Sequence, residues 1–124
     1  MFKHLWKSCV LALAVIAVAP QASAVYNATV TGKVTYIQQL GPNLGYTTGT
    51  YTFTVDTLTT SCIAGGFKQF IVSPNTIPDT ETRKAFLALL LSAKAAGTQV
   101  AVAYDNAGGY CDQGSYGVYY ITAY

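Results

Sequence analysis

The sequence predicts a mainly β domain with one helix, arranged as a five-stranded Greek-key barrel of the OB-fold type. Three observations lead to this fold class. Five short stretches alternate like β-strands, one long apolar stretch has the end signals of a helix, and the element order is β-β-β-α-β-β. Five short strands with one helix between the third and fourth are the layout of an OB-fold. An open α+β sheet with the helix across one face is the alternative.

The first 24 residues have the pattern of a secretory signal peptide and are excluded from the predicted fold. Lys3 and Lys7 give a positive start, residues 10–19 are an unbroken apolar run, and residues 22–24 read Ala-Ser-Ala, a cleavage signal. The run is about half as long as a membrane-spanning helix. We therefore expect a secreted or periplasmic protein, cleaved near Ala24 and without stable membrane insertion. Residues 25–124 form its single domain, and a retained N-terminal anchor is the alternative.

Charge is balanced in the mature domain. Two of the seven basic residues, Lys3 and Lys7, lie in the signal peptide, so five basic residues face five acidic ones and the net charge is zero. A protein that binds nucleic acid needs a broad basic surface to pair with the phosphates. Nucleic acid is therefore not an expected partner.

The mature domain lacks the residues that catalysis and metal binding use most. The one histidine, His4, lies in the signal peptide. Ser-His and Cys-His catalysis and a His-ligated metal are therefore excluded. Asp105 and Asp112 are close enough in sequence to suggest a carboxylate pair for glycoside cleavage, but turn-forming aspartates are commoner. We expect a non-enzymatic protein with no cofactor and no metal.

Two cysteines remain after signal cleavage, Cys62 and Cys111, because Cys9 is removed. An even pair in an exported protein predicts a disulfide rather than two free thiols. It closes a loop of about 50 residues, which stabilises the fold by roughly 4 kcal/mol in the chain-entropy model.

Three strands are predicted before the helix. In residues 29–40 one face carries most of the apolar side chains, and Gly32 suggests a bulge or bend. That face consists of Val30, Gly32, Val34, Tyr36, Gln38 and Leu40. In residues 48–56, Tyr51, Phe53 and Val55 are expected to point inward. Residues 67–72 form a shorter third strand with ambiguous alternation.

The predicted helix lies in residues 76–105 and runs into the fourth strand. Asp79 or Thr76 can cap its start, and Lys94 and Gly97 are stop signals. Residues 85–91 read AFLALLL, which covers nearly the whole circumference with apolar side chains. We expect its least hydrophobic stripe to meet other subunits, the alternative being a helix that leaves some alanine exposed. The stripe consists of Glu81, Lys84, Ala88, Ser92 and Ala95, and the last four are the candidate oligomer interface.

Two strands follow the helix. Val100, Val102 and Tyr104 alternate in the fourth, and residues 118–124 form the fifth. Tyr120 and Tyr124 share a period-2 face with Val118 and are expected in the core.

Tyrosines are the most unusual feature of the composition, since all ten lie in the mature domain. A tyrosine ring stacks on a sugar while its hydroxyl forms hydrogen bonds. Several tyrosines lie around the loop between the last two strands, beside amide and carboxylate acceptors. The candidate glycan contacts are Tyr104, Asp105, Asn106, Tyr110, Tyr116 and Tyr119. The alternative is that these tyrosines are ordinary, half-buried strand residues.

Residues 86–97 and 100–106 resemble the helix-to-strand segment of secreted bacterial toxin B subunits. They also match small secreted proteins with the pattern LLxxAKAxGxxVxxxYD, and the likeness covers about 20 residues. It implies an OB-fold with one disulfide, a ring of five subunits around a pore lined by the helix, glycan binding, and a possible separate A-chain.

Two functions follow as hypotheses. The first is an exported, oligomeric, carbohydrate-binding protein. The second is a small structural or interaction protein, such as an inhibitor or envelope component, that binds another protein through its apolar helix.

Overall fold

Five strands, one α-helix and a short 3₁₀ helix (Pro42–Leu44) are the regular elements in the part of the chain that the structure describes. The structure is a computed structural model and describes residues 28–106 and 111–124. The elements are β1 (Ala28–Leu40), β2 (Thr50–Val55), β3 (Phe70–Val72), α1 (Thr80–Ala96), β4 (Gln99–Tyr104) and β5 (Tyr116–Ala123). The predicted mainly β class and the order β-β-β-α-β-β are confirmed. The predicted signal peptide, residues 1–24, lies outside the described residues.

The strands form a closed ring in the order β1-β2-β3-β5-β4. The β3–β5 pair is parallel and the other pairs are antiparallel. β1 pairs with β4 along residues 28–33 and with β2 along residues 34–40. Gly32 lies at this change of partner, where a Cβ atom would be 2.6 Å from both Asp56 Oδ1 and Thr57 Oγ1. A larger residue here would displace the Asp56 and Thr57 side chains, whose oxygens form hydrogen bonds with the Lys33 amide and the Thr31 carbonyl of β1.

A β-bulge reverses the predicted alternation in the second half of β1. The register with β2 shifts between Val34 and Tyr36. Val34 is buried, whereas Tyr36 is 40% exposed and Ile37 packs against the core. The prediction that Tyr36 shares the inward face with Val34 is wrong, because the extra residue of a bulge turns every later side chain to the other face.

A second register shift, between β4 and β5, lies beside Ala103 and Tyr104. Beyond it Ile121 points into the core, while Tyr120 is 39% and Tyr124 75% exposed. The prediction that Tyr120 and Tyr124 lie in the core with Val118 is wrong for the same physical reason as in β1.

The core lies inside the ring of strands and is rich in aromatic rings. Phe70 lies at its centre, with ring centroids 5.2 Å from Phe53, 5.1 Å from Tyr104 and 6.0 Å from Tyr116. The predicted inward residues of β2 are all buried, namely Tyr51, Phe53 and Val55.

The helix α1 packs against β1, β4 and β5. Its end at Gly97 is the predicted one, and of the two candidate caps, Thr76 and Asp79, it begins at Asp79. Asp79 caps the start by accepting a hydrogen bond of 2.9 Å from the Thr82 amide. Gly97 ends the helix with a left-handed φ of 69°. Leu90 and Ala93 are buried against the ring. The whole predicted stripe is exposed to solvent, namely Glu81, Lys84, Ala88, Ser92 and Ala95.

Arg83 is the one buried cation among the described residues, with 3% of its surface exposed. Its Nη1 donates hydrogen bonds to the Ile77 and Pro78 carbonyls at 2.9 and 3.0 Å. The Tyr51 hydroxyl donates to the Arg83 carbonyl at 2.7 Å. Burial raises the pKa of Tyr51 well above its usual value, and the charge of Arg83 opposes this only in part. Arg83 therefore fixes the start of α1 against the preceding loop.

Candidate functional site

A disulfide between Cys62 and Cys111 joins the β2–β3 loop to the β4–β5 loop, with the two Cα atoms 5.8 Å apart. The sequence prediction of this pair is confirmed. The bond matters for a binding site because both loops lie beside the same outer face of the sheet, as described below.

Two of the predicted glycan contacts, Tyr104 and Tyr116, lie in the core. Their rings pack edge-to-face with centroids 4.9 Å apart, and their exposed fractions are 8% and 5%. Burial raises the pKa of Tyr104, and its proximity to Tyr116 adds to the effect. The Tyr116 hydroxyl donates to the Ser61 carbonyl at 3.0 Å. Neither ring therefore presents a face on which a sugar can stack.

The other predicted contacts are placed differently from one another. Asp105 and Asn106 follow β4 directly, Asp105 half-buried and Asn106 exposed. Tyr119 is half-buried in the bulged part of β5. Tyr110 lies outside the described residues. The six predicted contacts therefore do not share one exposed surface, since Tyr104 and Tyr116 are buried.

Asp112 is buried and organises the β4–β5 loop. It accepts hydrogen bonds from Asn75 Nδ2 at 2.9 Å, from Gln113 Nε2 at 3.2 Å, and from Ser73 Oγ. The exposed fraction of Asp112 is 3%. These bonds explain how the domain accommodates a buried carboxyl group, and they connect the loop to the segment before α1.

A groove crosses the outer face of β1, β2 and β3, and we call it the outer groove. It has a volume of about 210 Å³. Its strand residues are Tyr36, Gln38 and Leu40 of β1, Thr52 of β2, and Ile71 of β3. Gln38, Thr52 and Ile71 form one row, because Thr52 is the register partner of both of the others.

Loops complete the walls of the outer groove. Tyr46 comes from the β1–β2 loop, Phe67 and Gln69 from the β2–β3 loop, and Gln113 and Ser115 from the β4–β5 loop. The walls thus contain three aromatic rings, three amides and two small hydroxyls. None of these lining residues is acidic or basic.

The bulge in β1 gives the outer groove one of its walls. It turns Tyr36 and Gln38 outward, where the Tyr36 hydroxyl donates a hydrogen bond to Gln38 Oε1. Without the bulge both side chains would face the core. A bulge that redirects side chains into a site is a recurrent feature of functional sheets.

The polar residues of the outer groove are held in place before any ligand binds. Gln69 Nε2 donates to Ser115 Oγ at 3.1 Å, which connects two loops. Gln113 has φ of 53° and Gly114 φ of 84° in the tight turn closed by Asp112 and Ser115. A left-handed conformation is uncommon and costly for glutamine. The turn therefore keeps Gln113 in the groove wall at some cost in stability.

Thr52 has an unsatisfied hydroxyl. It is 2% exposed, and its Oγ1 is a buried polar atom with no hydrogen-bond partner among the described residues. Most buried polar atoms have a partner, and one without it costs about 1–3 kcal/mol. This unpaired oxygen lies beneath the wall of the groove, with less than 1 Å² of accessible surface.

The sequence prediction did not include the outer groove. In the predicted alternation of residues 29–40, Ile37 falls on the polar face and Gln38 on the apolar one. Reversing the alternation after Thr35 removes these two mismatches but puts Tyr36 and Leu40 outside and Gln39 inside. The bulge therefore has no clear signal in the sequence, because it is defined by the pairing of β1 with β2.

Comparisons with known proteins do not identify a relative: no family model, no curated protein and no solved structure matches this chain. Within residues 28–106 and 111–124, no helix has the length and hydropathy to cross a bilayer. The same residues contain no group of three or more His, Cys, Asp or Glu side chains suited to hold a metal ion. The chemistry of the outer groove is therefore the guide to function.

Proposed function

We propose that this protein is an exported, non-enzymatic binding protein that recognises carbohydrate through the outer groove. The observation that carries the proposal is the chemistry of its walls. Tyr36, Tyr46 and Phe67 supply rings, amides and hydroxyls lie between them, and no charged residue lines the groove. Sugars offer apolar C–H faces that stack on aromatic rings and hydroxyls that bond to amides. The uncharged mixture fits a sugar better than a phosphate or a peptide terminus.

The topology supports the same site. A closed ring in the order β1-β2-β3-β5-β4, with α1 between β3 and β4, favours an OB-fold. OB-folds bind oligosaccharides and oligonucleotides on the face of strands 2 and 3, between the loops that follow strands 1 and 4. The outer groove occupies that position, and the zero net charge of residues 25–124 argues against the nucleic acid.

Export is part of the proposal. The signal-peptide pattern of residues 1–24 and the Cys62–Cys111 disulfide both suit an oxidising compartment. A binding role outside the cytoplasm needs no catalytic group, in keeping with the absence of histidine from residues 25–124.

A glycan array with the mature protein, residues 25–124, tests this function. We expect a defined set of glycans to bind, and Phe67→Ala to weaken that binding at least tenfold, because stacking on an exposed ring is lost. Leu44→Ala is the matched control: Leu44 is 66% and Phe67 64% exposed, but Leu44 does not line the groove. Failure of every glycan to bind, or an equal loss in both variants, contradicts the proposal.

A second candidate is association with protein through the outer face of α1, either a ring of copies, such as a pentamer, or a separate A-chain. One observation favours it. Leu91 is 51% exposed on the same side of the helix as Ala88 and Ala95. An exposed leucine among alanines is typical of a surface that a partner covers.

Native mass spectrometry tests this second candidate. We expect an oligomer for the wild type and a monomer for Leu91→Glu, because a charge at the contact opposes association. Lys94→Glu, a charge change in the same last turns, is the control. A wild type that is monomeric and copurifies with no protein from its native host removes this candidate and leaves the carbohydrate proposal untouched.

A further inference from the structure

The outer groove follows β1 from Tyr36 to Leu40. Tyr36, Gln38 and Leu40 all line it, since alternate residues of a strand lie on one face. All three come after the β-bulge, and no further register shift separates them. The Cα atoms of Tyr36 and Leu40 are about 13 Å apart at the usual rise of a strand. A six-membered sugar ring is about as long as two strand residues, so the groove is longer than one sugar.

Gln69 and Ser115 lie at the Tyr36 end of the outer groove. In the antiparallel register of β2 and β3, Gln69 continues the pairing level with Thr54, which is also the register partner of Tyr36. Gln69 Nε2 donates to Ser115 Oγ at 3.1 Å. This hydrogen bond holds the β4–β5 loop at the same end of the groove.

Phe67 and Gln113 complete this end. The Phe67 amide donates to the Gly114 carbonyl at 3.3 Å. Gln113 and Gly114 are the central residues of the turn that Asp112 and Ser115 close. Two aromatic rings, two amides and a hydroxyl thus lie together, and we call this part of the groove the polar end. Its residues are Tyr36, Phe67, Gln69, Gln113 and Ser115.

The opposite end of the outer groove has different chemistry, and we call it the apolar end. It consists of Leu40, the last residue of β1, and Tyr46 from the β1–β2 loop that follows. Both side chains are half-buried. Between the two ends, Thr52 and Ile71 form a buried floor. Each end of the groove therefore has an aromatic ring on which a sugar can stack.

The volume of the outer groove limits the width of a ligand. It is about 210 Å³, below the ~300–1,000 Å³ of pockets that enclose drug-sized ligands. Spread over the length of the strand segment, this volume makes the groove narrow and shallow. A ligand that fills it lies as a single row of rings with one side in solvent, and a branched cluster of sugars does not fit.

Resting on the proposed carbohydrate function, we propose that the outer groove binds two consecutive residues of an unbranched glycan that lies along β1. One residue stacks at the polar end and forms hydrogen bonds with Gln69 and Gln113. The next residue stacks on Tyr46 at the apolar end. The polar end therefore reads the identity of one sugar, and Tyr46 makes the site prefer a chain over a single sugar.

The test is an array that carries unbranched chains, cello-, chito- and malto-oligosaccharides among them, in lengths from one to six residues. Branched glycans with the same end residues are printed beside them. Among the chains that bind, we expect affinity to rise at least tenfold from one residue to two and less than threefold with each residue beyond, because the groove ends there.

Three results on this array overturn the inference and leave the carbohydrate function in place. They are equal binding of one- and two-residue chains, a steady gain beyond two residues, and a preference for branched glycans. Absence of binding to every glycan overturns both the inference and the proposed function.

Variants of Tyr46 test its assignment by calorimetry on the best chain. Tyr46→Leu keeps apolar bulk but removes the ring, so it should weaken binding of the two-residue chain at least tenfold and of the single sugar less than twofold. Phe67→Ala should weaken both. Tyr46→Phe keeps the ring and should bind both ligands within twofold of the wild type.

Tyr124→Leu is the matched control for Tyr46→Leu. Tyr124 is 75% exposed and does not line the outer groove, so this variant should bind both ligands like the wild type. Urea unfolding checks that each variant is folded. An equal loss for both ligands in Tyr46→Leu, or no loss for either, overturns the role given to Tyr46.

Discussion

Cys62 and Cys111 form a disulfide between the two loops that supply Phe67, Gln69, Gln113 and Ser115 to the outer groove. The bond thus constrains two adjacent loops of one candidate site as well as the unfolded chain. Its contribution to stability and its contribution to the groove are separable by experiment.

Removing the disulfide should lower stability and weaken glycan binding together. The cross-link spans 49 residues in sequence, which corresponds to roughly 4 kcal/mol in the chain-entropy model. We expect Cys62→Ser/Cys111→Ser to lose about 2–4 kcal/mol in urea unfolding. Glycan affinity, measured below the unfolding transition, should also fall because the two loops are no longer joined. Reduced wild type is the control, and unchanged affinity in both would show that the groove does not depend on the bond.

Thr52→Val should not lower stability. The substitution removes a buried hydroxyl that has no partner and keeps the shape of the side chain. We expect the free energy of unfolding to stay equal or rise by up to about 1 kcal/mol, with glycan binding unchanged because the oxygen lies beneath the surface of the groove.

Thr54→Val is the matched control for Thr52→Val. Its Oγ1 donates to the Lys68 carbonyl at 3.1 Å, and it does not line the groove. We expect a loss of about 1 kcal/mol in stability and unchanged binding. A larger loss of stability in Thr52→Val than in Thr54→Val would contradict the absence of a hydrogen-bond partner at Thr52 Oγ1.

Gln113→Asn should stabilise the protein at the expense of binding. Both central residues of the turn have positive φ, the geometry in which Asn-Gly is preferred. We expect the free energy of unfolding to rise by about 0.5–1 kcal/mol, the usual size of such backbone effects. Glycan binding should weaken because the side chain that carries the amide is one methylene shorter. Gln39→Asn, in the extended strand β1, should give no gain. An equal effect of both substitutions in thermal unfolding would refute the backbone explanation.

Substituting Arg83 should destabilise the protein much more than substituting Lys84, its neighbour on α1. Arg83→Met leaves the Ile77 and Pro78 carbonyls without their donor in a buried position. We expect the free energy of unfolding to fall by about 2–4 kcal/mol. Lys84 forms an exposed ion pair with Glu81 at 3.5 Å, so Lys84→Met should cost less than about 0.5 kcal/mol. Chemical denaturation of both variants checks the difference, and similar losses would contradict the structural role of Arg83.

The capping interaction of Asp79 should depend on pH. Hydrogen bonds from Thr82, first from its side chain and then from its amide, hold the pKa of Asp79 below its usual value. A carboxyl group whose folded pKa is lowered stabilises the protein above its unfolded pKa, near 3.9, and loses that effect as the pH falls through the folded pKa.

Wild type should therefore exceed Asp79→Ala in urea midpoint most clearly near pH 6–7, and the gap should narrow below about pH 4. An NMR titration of the Asp79 carboxyl group checks the direction of the shift. In Thr82→Ala the pKa should move back toward the usual value, since only the amide bond remains. A pH-independent gap would show that the charge has no role in the cap.

Local signals in the sequence were sufficient for much of this molecule. The helix limits followed from Asp79 and Gly97, because capping depends on a few adjacent residues. The inward side chains of β2 followed from simple alternation. The Cys62–Cys111 pair followed from counting cysteines in a chain with an export signal. The exposed stripe of α1 followed from helical periodicity.

The candidate site required the tertiary structure. Tyr104 and Tyr116 are close to the loop in sequence, yet both rings lie beside Phe70 in the core. Sequence proximity alone does not distinguish a buried tyrosine from a ligand contact, since both are apolar rings with a hydroxyl.

By itself the sequence determined the order of the elements, the ends of the helix and the cysteine pair, because each depends on residues adjacent along the chain or on composition. Only the tertiary structure decided which face Tyr36 and Gln38 occupy and which loops meet Thr52. The physical reason is register: a bulge is defined by the pairing between two strands, and one extra residue moves every later side chain to the other side of the sheet.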